Sequence, residues 1–261
     1  MYIIDYYSIS PQKTFDNSFF DDNIEDLDGN RYFAIEPNYK DLIPRGLLRR
    51  MSKSVRMGIG AGMPLIQKEN NIDGIIIGTA TGGISDSIKF LNQIVEYNEG
   101  TLTPTNFVQS TSNSIAGHLA MMSKNTGYNN THTGMGSAFE SVLLDAFLLL
   151  KENEYSKLLI GSVDENSEHS FNINSFAGNF KKEEISSTEL LQSNSNGSVC
   201  GEGATMFVVS SKKDNAVCEL VDVYQSPCLS DRSLEEKVNK FLEKNNTNIQ
   251  DIDSIVLGFS G

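Results

Sequence analysis

The stretch NTHTGMGSAFESVLLDAFLLLK, residues 130–151, combines the end of a strand, a tight turn of small residues and a strongly apolar helix. Many enzymes place a nucleophile at such a turn between strand and helix. Here the turn offers Gly134, Gly136 and Ser137 but no cysteine. Three interpretations follow: an active site that uses serine, a site without its nucleophile, or only the start of a helix.

Strands and helices alternate on both sides of this stretch. DGIIIGTATGG, residues 73–83, runs from β-branched residues into a glycine-rich turn, and its continuous apolar run is typical of a strand covered on both faces. Further strands are predicted at 2–10, 157–165 and 203–211, helices at 45–67, 85–97 (with Ser85 as N-cap) and 113–126, and loops at 101–112 and 166–197. This alternation predicts an α/β fold with a mostly parallel or mixed sheet.

The sequence also contains an internal repeat. IIDYYSIS, residues 3–10, is similar to LVDVYQSP at 220–227, and DGIIIGTATGG is similar to DSIVLGFSG at 253–261. Each copy has a helix between its two strands, and in the second copy this helix is predicted at 233–246. A repeated strand–helix–strand unit predicts a duplicated fold, with one complete copy and the beginning of a second in this chain.

Composition excludes several classes of function. The chain has 261 residues and a net charge of −13, which disfavours nucleic acid as a partner because its phosphates would be repelled. No apolar run is long enough for a membrane span, and MYIIDYYSIS lacks the basic region of a signal peptide. The three cysteines have no zinc-type spacing, so no metal site is predicted, and reduced thiols in a cytoplasmic protein are expected: Cys200, Cys218 and Cys228.

One segment departs from the acidic balance. KDLIPRGLLRRMSKSVR, residues 40–56, contains six basic residues and a single acid. On one continuous helix, steps of four, four and three residues would align Arg45, Arg49, Lys53 and Arg56 on one face, with Arg50 beside it. Such a face is a solvated surface, a set of ion pairs with the acidic stretch 16–30, or a docking patch for an acidic partner.

Four blocks of the sequence resemble the beta-ketoacyl-ACP synthase family. SNGSVCGEGATMFVVSS (195–211) is similar to that family's D-G-F-V-x-G-E-G-A loop and following strand, and LRRMSKSVRMGIGAG (48–62) to its R-R-M-D-R helix. NFVQSTSNSIAGHLAM (106–121) is similar to its F-V-P-S-T…A-G-H-L segment, and LLIGSVDE (158–165) to its V-A-G-G-A-E strand end. The blocks occur in the family's order.

The resemblance implies the thiolase fold, whose two halves are similar, in agreement with the internal repeat. The implied division is a ketosynthase N-terminal-like half at 1–215 and the beginning of the second half at 216–261. Family members join acyl units by decarboxylative condensation: a cysteine holds the acyl chain as a thioester, and two histidines of the second half assist. The sequence reaches only the start of that half. No cofactor is expected.

The resemblance places the family's nucleophile in the turn of residues 134–137. Counting from AGHL puts the cysteine position at Gly136, whereas counting back from Glu165 puts it at Ser137. Ser137 also has a structural explanation, because SAFE matches a capping box with Ser137 as N-cap and Glu140 three residues later. A serine enzyme would need a base, and His132, just before the turn, is the candidate.

Members of this family without the cysteine are chain-length-factor-like subunits, so the resemblance implies a non-catalytic partner of a ketosynthase in fatty-acid, polyketide or aryl-polyene biosynthesis. One alternative is an active synthase or acyltransferase, based on Ser137 or completed by residues beyond this chain. Another is a family-derived protein that only binds acyl carrier protein. The implied partners are a ketosynthase subunit, in a homo- or heterodimer through the edge strand at about 128–133, and an acyl carrier protein. The docking residues expected for that carrier are Arg45, Arg49, Arg50, Lys53 and Arg56. The apolar helix after the turn is expected to be buried all round.

Overall fold

A computed structural model of the chain describes residues 1–16, 19, 24–152, 154–226 and 234–258. Its centre is a six-stranded mixed sheet with the strand order β10-β1-β9-β6-β4-β5. These strands are β1 (Tyr2–Ile9), β4 (Gly74–Thr79), β5 (Tyr128–Thr133), β6 (Lys157–Asp164), β9 (Gly203–Ser210) and β10 (Cys218–Glu219). Two short pairs lie outside this sheet: β2 (Asp28–Gly29) with β7 (Ile185–Ser186), and β3 (Arg31–Tyr32) with β8 (Cys200–Gly201).

The helices cover both faces of the sheet. They are α1 (Arg45–Leu48), α2 (Lys53–Lys68), α3 (Ile84–Glu96), α4 (Pro104–Gln109), α5 (Ser114–Ser123), α6 (Ala138–Lys151), α7 (Glu168–Phe176) and α8 (Leu234–Lys244). Single 3-10 turns lie at Leu190–Gln192 and Ile249–Asp251. Across the described residues, no helix is both long enough and apolar enough to cross a membrane.

Strand β4 is the most deeply buried element of the sheet, as the apolar run predicts. All six of its residues are buried, and it pairs in parallel with β5 on one side and β6 on the other. Ile75 and Ile77 pack in the core with α2 and α5, whereas Ile76 packs on the opposite face with Val142 of α6. The alternation of side chains along one strand thus joins two cores.

The glycines of α2 permit close helix packing. A Cβ atom at Gly60 would lie 2.3 Å from Cε1 of Tyr39, and one at Gly58 would lie 2.5 Å from Cγ2 of Ile115. Any larger residue would therefore push α2 away from its neighbours. Glycine in a helix costs about 0.5–1 kcal/mol relative to alanine, and here tight packing offsets that cost.

Several predicted boundaries are wrong. The continuous helix at 45–67 is interrupted between α1 and α2 because the Gln109 side chain bonds the backbone there, accepting from Ser52 N at 2.5 Å and donating to Arg50 O. The predicted loop at 101–112 contains α4, which begins with a proline, a favoured first helical residue. The loop predicted at 166–197 contains α7, whose N-cap Ser167 accepts from Ser170 N. Helix α3 begins after Gly83 in a left-handed conformation, so Ser85 is not its N-cap.

The second copy of the repeat is only partly formed. Its predicted helix is confirmed as α8, but residues 220–226 and 253–258 form no strand, and 227 and 259–261 lie outside the described residues. Instead, Tyr224 packs against Phe241 of α8 with ring centroids 6.0 Å apart, and Asp222 accepts a bond from Lys244 at 2.7 Å. Among the residues that the structure describes, neither segment has a neighbouring strand to pair with, and strands need such partners to be stable.

Candidate functional site

Three loops meet at the carboxyl ends of the parallel strands β4, β5 and β6. They are residues 80–83, 134–137 and 165–167. Thr79 and Thr133 are register partners at the ends of β4 and β5, and Gly134 N donates to Thr79 O at 3.2 Å. In α/β sheets, ligands bind at this edge, so these loops form the candidate site.

The turn before α6 is shaped by Gly136. Its φ of +86° is left-handed, which favours glycine, and an added Cβ would have no atom within 4 Å. Ser137 follows as the N-cap residue of α6. Both candidate positions for the family's nucleophile are therefore in an open turn at the start of a 14-residue helix.

Ser137 occupies the predicted N-cap position, but the predicted capping box with Glu140 is absent. Its side chain makes no capping hydrogen bond, and its backbone at φ −152° and ψ 12° is outside the extended conformation that N-cap residues adopt. Its carbonyl oxygen is well used, accepting from Ser141 N at 3.2 Å and from Gln225 Nε2 at 3.2 Å. Ser137 therefore begins the helix through its backbone.

Helix α6 packs on the sheet with one face. Val142, Ala146 and Leu150 are buried, whereas Leu144 and Leu148 on the other side are 43% and 52% exposed. The prediction of a helix buried all round is therefore wrong for this chain by itself. The sheet covers one face of the helix, and the opposite face keeps exposed leucines.

His132 belongs to a polar cluster centred on Asp145 of α6. Its Nε2 atom lies 2.8 Å from Oδ2 of Asp145, and the same oxygen accepts bonds from Asn130 Nδ2 at 3.1 Å and Tyr128 OH at 3.1 Å. The cluster lies along β5, which is the edge strand of the sheet. A histidine held by a carboxylate is an oriented base. His132 makes no hydrogen bond to Ser137 in this structure.

Asp164, at the end of β6, fixes the glycine-rich turn after β4. Its Oδ1 accepts bonds from Thr79 Oγ1 at 2.9 Å, Ala80 N at 2.9 Å and Thr81 N at 3.1 Å. Sequence reasoning missed this residue. The available signal was an acid at the carboxyl end of a buried strand.

Glu202 of the GEGA motif is a buried carboxylate that joins three segments. Its side chain is 0% exposed, and it accepts bonds from Ala34 N at 2.9 Å, Asn166 N at 3.0 Å and the ammonium group of Lys53. The neighbouring carboxyl of Glu165 accepts from Ser54 N at 3.3 Å, and its burial raises its pKa. The start of α2 is thus held by two acids of the predicted motifs.

The predicted basic face divides into two groups. Lys53 pairs with Glu202, and Arg56 forms two bonds to Glu36 at 2.7 and 2.8 Å, so both are internal ion pairs. The single helical face is wrong because the helix is interrupted between Arg49 and Lys53. The other three are exposed and belong to no ion pair among the described residues: Arg45, Arg49 and Arg50. We call these three residues the arginine group.

The two described cysteines lie away from the turn. Cys200 is in β8, and burial raises the pKa of its thiol to about 11. Cys218 is exposed in β10, at the opposite edge of the sheet from β5. A thiol with a raised pKa is a poor nucleophile.

Comparison with known proteins assigns the chain to one family. Residues 33–201 match the family model described as beta-ketoacyl synthase, N-terminal domain. No curated protein matches the chain. The family resemblance carried by the four sequence blocks is thereby confirmed.

Solved structures share the fold. A ketosynthase in complex with its chain length factor from Xenorhabdus doucetiae is 15% identical with a TM-score of 0.58, and covers 81% of this chain and 79% of its own. The ishigamide ketosynthase/chain length factor is 18% identical with a TM-score of 0.61, and the match covers 80% of this chain and 61% of that one. A beta-ketoacyl synthase from Burkholderia phymatum STM815 is 13% identical with a TM-score of 0.58, and the match covers 80% of this chain and 58% of that one. The chain thus spans less than two thirds of the length of the last two structures. The shared fold confirms the prediction of an α/β, thiolase-like fold.

Proposed function

This chain belongs to the beta-ketoacyl synthase N-terminal domain family, and on that premise we propose that it is a non-catalytic subunit of the chain-length-factor type. It pairs with an active ketosynthase in fatty-acid, polyketide or aryl-polyene biosynthesis and holds no acyl thioester itself. Its place is the cytoplasm, in keeping with the free thiols of Cys200 and Cys218.

The turn without a cysteine carries this proposal. Condensation through an enzyme-bound thioester needs a thiolate, and the start of a helix is where a thiol is activated. The chain has Gly136 and Ser137 at the start of α6. Its described cysteines lie elsewhere: Cys200 is in β8, outside the central sheet, and Cys218 is in β10, at the opposite edge of the sheet from β5.

The partner surface we propose is the edge of the sheet at β5. Within the part of the chain that the structure describes, this strand pairs with β4 and with no other strand, so its other side has backbone groups available for a strand of a second thiolase-like chain. The exposed Leu144 and Leu148 of the adjoining α6 add apolar area. Two of the similar structures are pairs of a ketosynthase and a chain length factor, which favours a heterodimer.

Docking of an acyl carrier protein is proposed for the arginine group alone. Arg45, Arg49 and Arg50 give an acidic carrier a local positive surface on a chain whose net charge is −13. A further similar structure, 12% identical with a TM-score of 0.60, is a type II acyl-carrier protein in complex with its ketosynthase.

Reconstitution tests the subunit role. The chain is co-expressed with a ketosynthase of the same genome, and condensation is measured for that synthase alone, for the pair, and for the pair with Ser137→Ala. We expect a one-to-one complex by native mass spectrometry and equal activity with either form of this chain. The subunit proposal is contradicted if the chain forms no complex with any of the synthases tested.

A second candidate function is an acyltransferase based on Ser137. The observation that favours it is the pair of His132 and Asp145, 2.8 Å apart, together with a Ser137 hydroxyl that makes no capping bond. In that case His132→Gln and Ser137→Ala each abolish acyl transfer by the chain alone. Transfer that survives both substitutions excludes this candidate.

A further inference from the structure

A separate cavity of about 220 Å³ lies between α1, α4 and α5. Its lining residues are Leu47, Arg50, Met51, Pro104, Thr105, Val108, Gln109 and His118. None of them belongs to the three loops of the candidate site. The cavity therefore needs its own explanation.

The walls of the cavity are mostly apolar, with a single charged residue. Aliphatic surface is supplied by Leu47, Met51, Pro104 and Val108. The apolar side chain of Val108 is 55% exposed to solvent. Arg50 is the only charged residue of the lining, and no ion pair of the described chain includes it. An arginine without a carboxylate partner beside an apolar cavity suits a ligand with an anionic end and an aliphatic body.

The polar groups around Arg50 are held in place by the protein. Gln109 is only 4% exposed and uses both ends of its amide, since Oε1 accepts from Ser52 N and Nε2 donates to Arg50 O. His118 donates from Nδ1 to Ser114 O at 2.7 Å, which leaves Nε2 as its second polar atom. The backbone that bears Arg50 is thus fixed before any ligand binds, and preorganisation of this kind lowers the cost of binding.

We propose that this cavity binds a short aliphatic carboxylate, with the carboxylate on Arg50 and the alkyl chain against Leu47, Pro104 and Val108. One guanidinium matches one carboxylate by two parallel bonds. The volume equals that of about seven water molecules in the liquid, which is the size of a ligand with about eight non-hydrogen atoms. Hexanoate has this size.

Saturation-transfer NMR of the full chain with hexanoate tests the site. A ligand of this size is expected to bind saturably with Kd of about 1 mM. Arg50→Gln weakens binding at least about tenfold because the charged bond is lost. Val108→Phe, which fills the alkyl part and leaves the charge unchanged, also weakens it, and keeps the test valid if Arg50→Gln fails to fold.

Matched controls separate this site from general charge attraction. Arg45→Gln removes an exposed arginine that does not line the cavity, and binding of hexanoate to this variant should be unchanged. Hexanol, with the same chain and no charge, should not bind saturably. The proposal is overturned if hexanoate does not saturate, if Arg45→Gln and Arg50→Gln weaken it equally, or if hexanol binds as well as hexanoate. This experiment is independent of the subunit role.

Discussion

DGIIIG at 73–78 and DSIVLG at 253–258 have nearly the same pattern of residues but adopt different structures. The first contains β4, where Ile75, Ile76 and Ile77 are 0% exposed. In the second, which forms no strand, Ile255, Val256 and Leu257 are 68%, 94% and 75% exposed. Strand β4 has β5 and β6 beside it and an apolar core on each face, and such neighbours decide whether β-branched residues form a strand.

This contrast bears on the proposed role. The central strand β4 has a strand on each side and an apolar core on each face, whereas Ile255, Val256 and Leu257 are exposed among the described residues. Neighbouring exposed apolar residues are able to pack against another protein segment.

The largest effect should come from placing a charge in one copy of the pattern and not the other. Ile76→Asp puts an unpaired carboxylate into the core between β4 and α6 and should cost more than about 4 kcal/mol, which unfolds most domains. Val256→Asp changes an exposed residue and should alter the free energy of unfolding by less than about 0.5 kcal/mol. Thermal melts followed by circular dichroism compare the two. Equal destabilisation by both would mean that 253–258 is buried in solution.

A smaller effect is expected from the two groups of basic residues. Lys53→Gln leaves the buried Glu202 without its cation and should cost about 1–3 kcal/mol. Arg49→Gln, in the exposed arginine group, should leave stability unchanged but weaken carrier binding and flatten its salt dependence. Denaturant unfolding and carrier titration measure the two. If Lys53→Gln loses affinity for the carrier without losing stability, Lys53 is part of the docking surface.

The smallest effect should come from Ser137→Ala. Loss of an N-cap side-chain bond typically costs about 0.5–2 kcal/mol, but Ser137 makes no such bond. The melting transition should therefore shift little, in contrast to Ser167→Ala, which removes an observed cap bond from α7. A drop in stability equal to that of Ser167→Ala would show that the capping box forms in solution.

Sequence reasoning predicted the sheet strands β1, β4, β6 and β9 well because their apolar runs are long and their burial is strong. It failed where side chains distant in sequence decide the backbone. Gln109, more than fifty residues away, interrupts the predicted basic helix, and no periodicity in 45–67 signals this. The same holds for Asp164, whose role depends on the turn after β4.

The candidate turn was located from sequence, but its chemistry depends on geometry. The pattern SAFE predicts a capping box, yet the φ and ψ of Ser137 prevent it. His132 is next to the turn in sequence, whereas its bonds go to Asp145 of α6. Which side chain a residue contacts across a strand and a helix cannot be predicted from spacing alone.

Intact-mass spectrometry tests the central claim, that the turn of residues 134–137 holds no acyl group. The chain and its partner ketosynthase are incubated together with an acyl-carrier thioester, and the mass of each chain is measured in the same sample. We expect the synthase to gain the mass of the acyl group while this chain keeps its own mass. An acyl adduct on this chain, mapped by peptide sequencing to Ser137, would contradict the account and support the serine acyltransferase.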